Sequence, residues 1–131
     1  MSLREQLAAR GIVLGDEIGH GAAAVVYRAV DRRHERPVAV KVFTPGAGGA
    51  LAEDRFLREI RLAAGLQHPH ILPVYDSGAA GGALFYVMPY VEGESLRERL
   101  ARGGPMPVAE ALRIAREVAD ALGLRAAACS R

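Results

Sequence analysis

The spacing of apolar residues divides the chain into strand-rich and helical parts. In the first third, apolar and β-branched residues recur at every second position or in short runs, which is typical of strands. The pattern predicts an antiparallel meander of three strands, over residues 12–18, 22–30 and 38–43. Before the meander, residues 2–9 alternate charge with leucine and alanine, which indicates a short lead-in helix that Gly11 ends.

After residue 50 the period of the apolar positions changes to that of a helix, which runs to Gly65. Two further strands and a hairpin loop between them are predicted at 71–75, 84–91 and 76–82, respectively. Two helices then follow, one opened by the capping-box spacing of Ser95 and Glu98, the other with an apolar face over residues 108–122. The pattern therefore predicts an α+β fold with a five-stranded antiparallel sheet, one main helix and two further helices.

Length and composition limit the classes of protein to which this chain can belong. With 131 residues, half of them hydrophobic, the chain is large enough for one domain or part of one. Its formal net charge is only +2 and its basic residues form no cluster, so we expect no nucleic-acid binding. Its single cysteine, the lack of an apolar signal core and the lack of a membrane-length apolar run favour a cytoplasmic protein with no membrane partner.

Lys41 is the first candidate for chemistry, because it is the only lysine among 17 lysine and arginine residues. It follows the apolar run Val38-Ala39-Val40, which predicts a strand buried on nearly both faces. An unpaired ammonium group there would be unfavourable. Lys41 is therefore expected to pair with a carboxylate of the chain or with a bound anion.

Gly19-His20-Gly21, between the first two predicted strands, has two interpretations. It is either a tight hairpin or a turn whose backbone amides approach phosphate oxygens, since glycine leaves no side chain in the way. A dinucleotide-binding turn is rejected, because a helix should follow it and the β-branched residues favour a strand. Glu59 also has two interpretations: it is either a solvated partner of nearby arginines or an inward-facing partner of Lys41.

Five ordered motifs over residues 12–122 together resemble the amino-terminal lobe of a bacterial-type (Hanks-type) serine/threonine protein kinase. The similar segments are Ile18-Gly19-His20-Gly21 to Val26, Val38-Ala39-Val40-Lys41, Phe56-Leu57-Arg58-Glu59, His68-Pro69-His70-Ile71 and Tyr86-Val87-Met88-Pro89-Tyr90-Val91 with the helix start after it. Ala24 departs from the family pattern, because it stands where the third glycine of the loop is expected.

The resemblance implies an ATP site. In it, Lys41 would contact the α- and β-phosphates and pair with Glu59. Val26 and Ala39 would cover the adenine, and Met88 would be the gatekeeper or simple core filler. The backbone of Pro89 and Val91 would hydrogen-bond the edge of the adenine. The implied ATP-binding set is Ile18, Gly19, His20, Gly21, Ala24, Val26, Ala39, Lys41, Met88, Pro89 and Val91.

The family's catalytic loop and metal-binding motifs are not found in this sequence. No histidine follows His70, asparagine is absent, and Asp120 is the only aspartate after Asp76. We therefore expect a catalytically incomplete, truncated kinase chain that binds ATP weakly and lacks protein ligands for the Mg²⁺ that the family uses. The alternative is a non-catalytic kinase-like interaction module, with a protein partner on the exposed face of residues 108–122, or an unstable product.

The resemblance also predicts how the chain is divided. The predicted division is a lead-in helix at 1–11, the amino-terminal lobe and hinge at 12–91, the start of a second lobe at 92–122, and a tail unlike the family at 123–131.

Overall fold

The computed structural model describes the backbone of residues 2–21, 24–43 and 49–129. Within these ranges, the side chains at 49–53, 55, 59, 63 and 125–129 fall outside the description. Along the described backbone the elements are α1 (Leu3–Ala9), β1 (Ile12–His20), β2 (Ala24–Asp31), β3 (Arg36–Phe43), α2 (Gly49–Ala64), β4 (Asp76–Ala80), β5 (Ala83–Pro89), α3 (Leu96–Gly103) and α4 (Val108–Cys129). They belong to two compact units, residues 1–65 with 72–90 and residues 66–71 with 91–131.

The first unit contains the predicted five-stranded antiparallel sheet. Its strand order is β1-β2-β3-β5-β4, and every neighbouring pair is antiparallel. The first three strands form the meander that the sequence predicts. Ala22 and Ala23, which the prediction included in the second strand, lie outside the described residues.

One face of the sheet carries the hydrophobic core. Because side chains alternate along a strand, Val38, Val40 and Val42 point to the same face, and all three are buried. Leu7 of α1 packs on that face and is fully buried. The short first helix therefore covers the core, which is more than the lead-in role expected from the sequence. The other buried members of this core are Ile12, Leu14, Ala29, Ala80, Phe85 and Val87.

The fourth strand lies five residues later than the sequence predicts. Residues 71–75 are not a strand; β4 occupies Asp76–Ala80, within the segment interpreted as a loop. Two features explain the error. Pro73 has no N–H to donate to a neighbouring strand, and Gly81 and Gly82, both at positive φ, form the two-residue turn that sets the register of β4 on β5.

The second unit contains α3 and α4. The side chain of Ser95 accepts a hydrogen bond of 3.1 Å from the backbone N–H of Glu98, as the capping-box spacing predicts. Two hydrogen bonds from Arg102, at 2.6 and 3.1 Å, join α3 to Glu94 and lower the pKa of that carboxyl. The last helix is longer than its apolar face, because it continues from Val108 to Cys129 through the helix-favouring alanines at 126–128. None of the described helices combines the length and apolar character needed to cross a membrane.

Candidate nucleotide-binding cleft

The sheet face opposite the core and the β1–β2 turn together contain most of the predicted site residues. Lys41 lies between Val26 of β2 and Tyr86 of β5 in the strand register. Two positions earlier on β3, Ala39 is paired with Met88. Side chains two residues apart on a strand share a face, so Val26, Ala39, Lys41 and Met88 form one surface.

A cleft of about 410 Å³ opens where this surface meets the β1–β2 turn. Its lining residues are Gly19, His20, Gly21, Ala24, Val26, Lys41 and Phe43. Six of these seven were predicted as site residues from the sequence, and Phe43 was not. Since the lining contains a lysine and a histidine but no carboxylate, the cleft suits an anionic ligand.

Neither the packing nor the backbone conformation of the turn requires glycine at positions 19 and 21. Neither has a positive φ, and a Cβ added at either position would meet no described atom within 4 Å. The turn itself is closed by a backbone hydrogen bond of 2.9 Å from Gly21 N–H to the carbonyl of Ala24. The glycines thus leave open space above the backbone, which is the condition for close approach of a ligand.

Lys41 is half-buried, and aromatic rings surround it. Its Nζ lies 5.3 Å from the ring centre of Phe43 and 6.0 Å from that of Tyr86, at the outer range of cation–π attraction. Among the side chains that the structure describes, no carboxylate lies within 4.0 Å of Lys41. Glu59 lies on α2, but its side chain is outside the described set. The predicted Lys41–Glu59 ion pair therefore stays a prediction.

An aromatic cluster connects α2 to the sheet beside Lys41. The ring of Phe56 on α2 meets that of Phe43 edge-on at 4.6 Å and lies 6.3 Å from that of Tyr86. Phe43 and Tyr86 are themselves 5.7 Å apart. The helix that carries Glu59 is thus anchored to the lysine strand by ring packing. Sequence reasoning missed this role of Phe43 and Tyr86, although alternation from Lys41 already places Phe43 on the cleft face.

Five predicted residues do not line the cleft. Of these, Ala39 and Met88 share the sheet face of Lys41, and the other three are Ile18, Pro89 and Val91. Ile18 is 48% exposed beside a register shift in β1. Pro89 is paired with Val38, so its side chain belongs to the core-facing register, while the prediction concerns its backbone. Val91 is exposed and belongs to the second unit.

His68 and His70 form a local turn in which the His70 N–H donates to Nδ1 of His68 at 3.0 Å. His20 differs from them, because it lines the cleft and its Nδ1 lies 3.2 Å from Oε1 of Glu17.

Comparison with known proteins identifies the family. The model of the protein kinase domain matches residues 12–124. The chain belongs to the protein kinase family. The kinase match covers the five strands, α2, α3 and most of α4, and it agrees with the resemblance inferred from the five sequence motifs.

Curated relatives are bacterial serine/threonine kinases. The kinase chain is 43% identical over 109 residues to the probable serine/threonine-protein kinase pknA2 of Bifidobacterium longum, covering 80% of this chain and 14% of that protein. It is 42% identical over 118 residues to serine/threonine-protein kinase PknB of Mycobacterium leprae, covering 83% and 18%, respectively. The chain thus spans less than a fifth of the length of either relative.

A solved structure confirms the fold. The crystal structure of Rad53 1-466 in complex with AMP-PNP superposes with a TM-score of 0.76 at 23% identity, covering 88% of this chain and 30% of that one. At this identity the similarity establishes the kinase-like fold alone.

Proposed function

We propose that these 131 residues form the ATP-binding portion of a serine/threonine protein kinase, a family that transfers a phosphoryl group from ATP to protein serine or threonine. The observation that carries the proposal is the cleft in which Lys41 lies with the loop glycines Gly19 and Gly21. A cationic group and open backbone amides suit a polyphosphate chain. The fold relative Rad53, which was crystallised with AMP-PNP, also supports it.

Each residue has a definite task in this proposal. Lys41 neutralises the α- and β-phosphates, and Glu59 on α2 holds the lysine in position. Val26 and Ala39, which share the face of Lys41, cover the adenine. Met88, paired with Ala39, is the gatekeeper at the back of the site. The backbone of Pro89 and Val91 hydrogen-bonds the edge of the base.

Transfer of the phosphoryl group requires residues that this sequence does not contain. The reaction depends on a carboxylate that accepts the hydroxyl proton and on metal-bound phosphates. In the family these groups come from motifs with histidine, aspartate and asparagine, yet no histidine follows His70 and no asparagine occurs. We propose that these residues bind ATP weakly, largely without Mg²⁺, and do not transfer phosphate by themselves.

Thermal unfolding with and without ATP tests the binding proposal. A ligand that binds only the folded state raises Tm in proportion to the logarithm of its concentration above Kd. We expect ATP to raise Tm of the 131-residue chain and Lys41→Ala to abolish that rise while leaving Tm without nucleotide nearly unchanged. Arg32→Ala is the matched control, because it removes a cation from the exposed β2–β3 turn, outside the cleft lining.

An ATP-dependent rise in Tm that survives Lys41→Ala would contradict the proposed site. No rise at any ATP concentration would contradict ATP binding by this chain. Equal loss in Arg32→Ala and Lys41→Ala would mean that general charge attraction, and not the cleft, binds the nucleotide.

A second candidate function, protein interaction through α3 and α4, is favoured by one observation. These helices line an apolar cleft of about 600 Å³, formed by Leu96, Leu100, Met106, Ala111, Ile114, Ala115, Val118, Ala119 and Leu122. The polar side of α4 carries both charges, as in the exposed Arg113–Glu117 pair at 3.5 Å, so charge does not prevent a second copy of the chain from docking there. We expect sedimentation to detect concentration-dependent association that Leu100→Gln abolishes and Lys41→Ala does not. A monomer at all concentrations would contradict this candidate.

A further inference from the structure

His20 is the second positively chargeable group of the cleft. It is the last residue of β1 and lines the same cavity as Lys41, although 76% of its side chain is exposed. Histidine is the side chain whose charge ordinarily changes between pH 5 and 8. The cleft therefore presents one permanent cation and one that depends on pH.

We propose that His20, when protonated, is an additional ligand for the phosphates of the nucleotide and makes ATP affinity pH-dependent. This inference rests on the proposed function and concerns the same cleft. It assigns to His20 a positioning and affinity role, and not the transfer of a proton to the substrate.

The neighbouring strands leave few charges to compete with this role. On β2, the lining residues Ala24 and Val26 are uncharged, and of the two lining residues of β3 Lys41 is charged and Phe43 is not. The segments 22–23 and 44–48 contain no titratable side chain. On α2, Glu53, Asp54 and Glu59 carry negative charge, and Glu59 is the proposed partner of Lys41.

The charged group in contact with His20 is Glu17, on the same strand. Its Oε1 lies 3.2 Å from Nδ1 of His20. A triphosphate carries several negative charges against one on Glu17, so a bound nucleotide attracts the protonated ring more strongly than Glu17 does. The nucleotide phosphates therefore compete with Glu17 for the His20 ring.

The exposure of His20 limits the size of the effect. At a contact distance of about 4 Å in water-like surroundings, a charge pair changes affinity by about fivefold. We therefore expect an additional affinity gain of about fivefold on going from pH 8 to pH 6. A larger gain would require a buried ion pair, which this loop position does not provide.

The test compares Kd for ATP, measured by calorimetry in EDTA at pH 6 and pH 8, between the unaltered chain and His20→Gln. ATP binds its own proton in this range, but this contribution cancels when the two proteins are compared at each pH. We expect the ratio of Kd at pH 8 to Kd at pH 6 to be about fivefold larger in the unaltered chain than in His20→Gln. Adenosine, which has no phosphate, should bind both proteins equally at each pH.

His70→Gln is the matched control, because it removes an exposed histidine that belongs to the other unit. Its pH dependence should equal that of the unaltered chain. The same pH dependence in His20→Gln and in the unaltered chain would overturn the role of His20. An equal His20 effect on adenosine would also overturn it, because the contact would then not be to phosphate.

The outcomes separate this inference from the proposed function. If ATP binds and Lys41→Ala abolishes binding, but His20→Gln changes nothing, only the role of His20 fails. If ATP does not bind at either pH, or if its binding survives Lys41→Ala, the proposed function fails.

Discussion

At the residue scale, Asp31 is the one charged residue that is buried among the residues that the structure describes, with 7% of its surface exposed. Its Oδ1 accepts the backbone N–H groups of Arg33 and His34 at 3.0 and 3.3 Å, and its Oδ2 lies 2.8 Å from His34 Nδ1. Arg36 adds a contact of 3.4 Å to the same carboxylate, and its guanidinium stacks 3.7 Å above the ring of Tyr75. Asp31 thus fixes the β2–β3 turn, which delivers β3 and Lys41 to the cleft.

The carboxylate of Asp31 also predicts how stability depends on pH. Burial raises the pKa of Asp31. The hydrogen bonds and charge of His34 and the N–H of Arg33 lower this pKa by more than burial raises it, so the net pKa lies below the ordinary value. A carboxylate with a lowered folded-state pKa stabilises the fold above its unfolded pKa, and this contribution is lost as pH falls through the folded pKa. The loss should therefore occur below about pH 4.

We expect Asp31→Asn to lower Tm by a few degrees at neutral pH, because the amide keeps the shape but not the charge. The difference from the unaltered chain should shrink below about pH 4, where the native carboxylate becomes protonated. Thermal unfolding across this pH range measures both effects, with the exposed Asp120→Asn as the control. A Tm difference that stays constant down to the acid limit of folding would contradict the charge argument.

At the element scale, the β4–β5 turn is where the sheet meets α1. Gly81 has a φ of +57°, and a Cβ there would lie 2.7 Å from the backbone nitrogen of Leu3. Gly82 has a φ of +78°, but a Cβ there would meet no described atom within 4 Å. The two glycines share a strained conformation and differ in contact with α1, so they form a matched pair.

We expect Gly82→Ala to lower the free energy of unfolding by about 1 kcal/mol, since alanine is disfavoured at positive φ. Gly81→Ala should lower it by about 2 to 4 kcal/mol, because α1 must also move away from the turn and from the core that Leu7 covers. Urea unfolding followed by circular dichroism measures both values. Equal losses in the two variants would show that the contact between α1 and the turn contributes nothing to stability.

At the scale of the whole molecule, the match to the protein kinase domain covers residues 12–124. The sheet, α2 and the loop suffice for a nucleotide cleft in our proposal. Those 131 residues contain no His-Arg-Asp or Asp-Phe-Gly sequence. For this reason our proposal assigns ATP binding to these residues, and not transfer of the phosphoryl group.

We expect no detectable autophosphorylation when the chain is incubated with ATP and Mg²⁺. In our proposal these residues neutralise phosphate charge through Lys41, and their sequence contains neither of the two motifs from which the family takes its catalytic carboxylate and metal ligands. Incorporation of radiolabel from γ-labelled ATP, resolved by electrophoresis and mass spectrometry, measures this. Label that is incorporated and then lost in Lys41→Ala would contradict the prediction.

The sequence motifs and the family resemblance that they carry anticipated most of the cleft. Strand alternation places Ala39 and Lys41 on one face once β3 is predicted, because side chains alternate with a period of two. That Val26 shares this face depends on the pairing of β2 with β3. The glycine turn between β1 and β2 follows from local composition. Six of the residues that line the cleft belong to the set that the family resemblance implies.

Contacts between distant segments decided the remaining features. The position of β4 depends on its pairing with β5 and on the Gly81–Gly82 turn. The strand propensity of residues 71–75 contains no information about the pairing with β5. The packing of Leu7 on the core and of Phe56 on Phe43 joins elements far apart in sequence.

By itself, then, the sequence determined the kinase family, the antiparallel sheet and the choice of Lys41 as the cleft cation, because these depend on short motifs and local periodicity. The tertiary structure alone decided that α1 covers the core, that β4 begins at Asp76, and that Phe43 lines the cleft beside Lys41. The physical reason is that burial and cleft formation depend on which surfaces meet, and the meeting of surfaces distant in sequence is set by the whole fold.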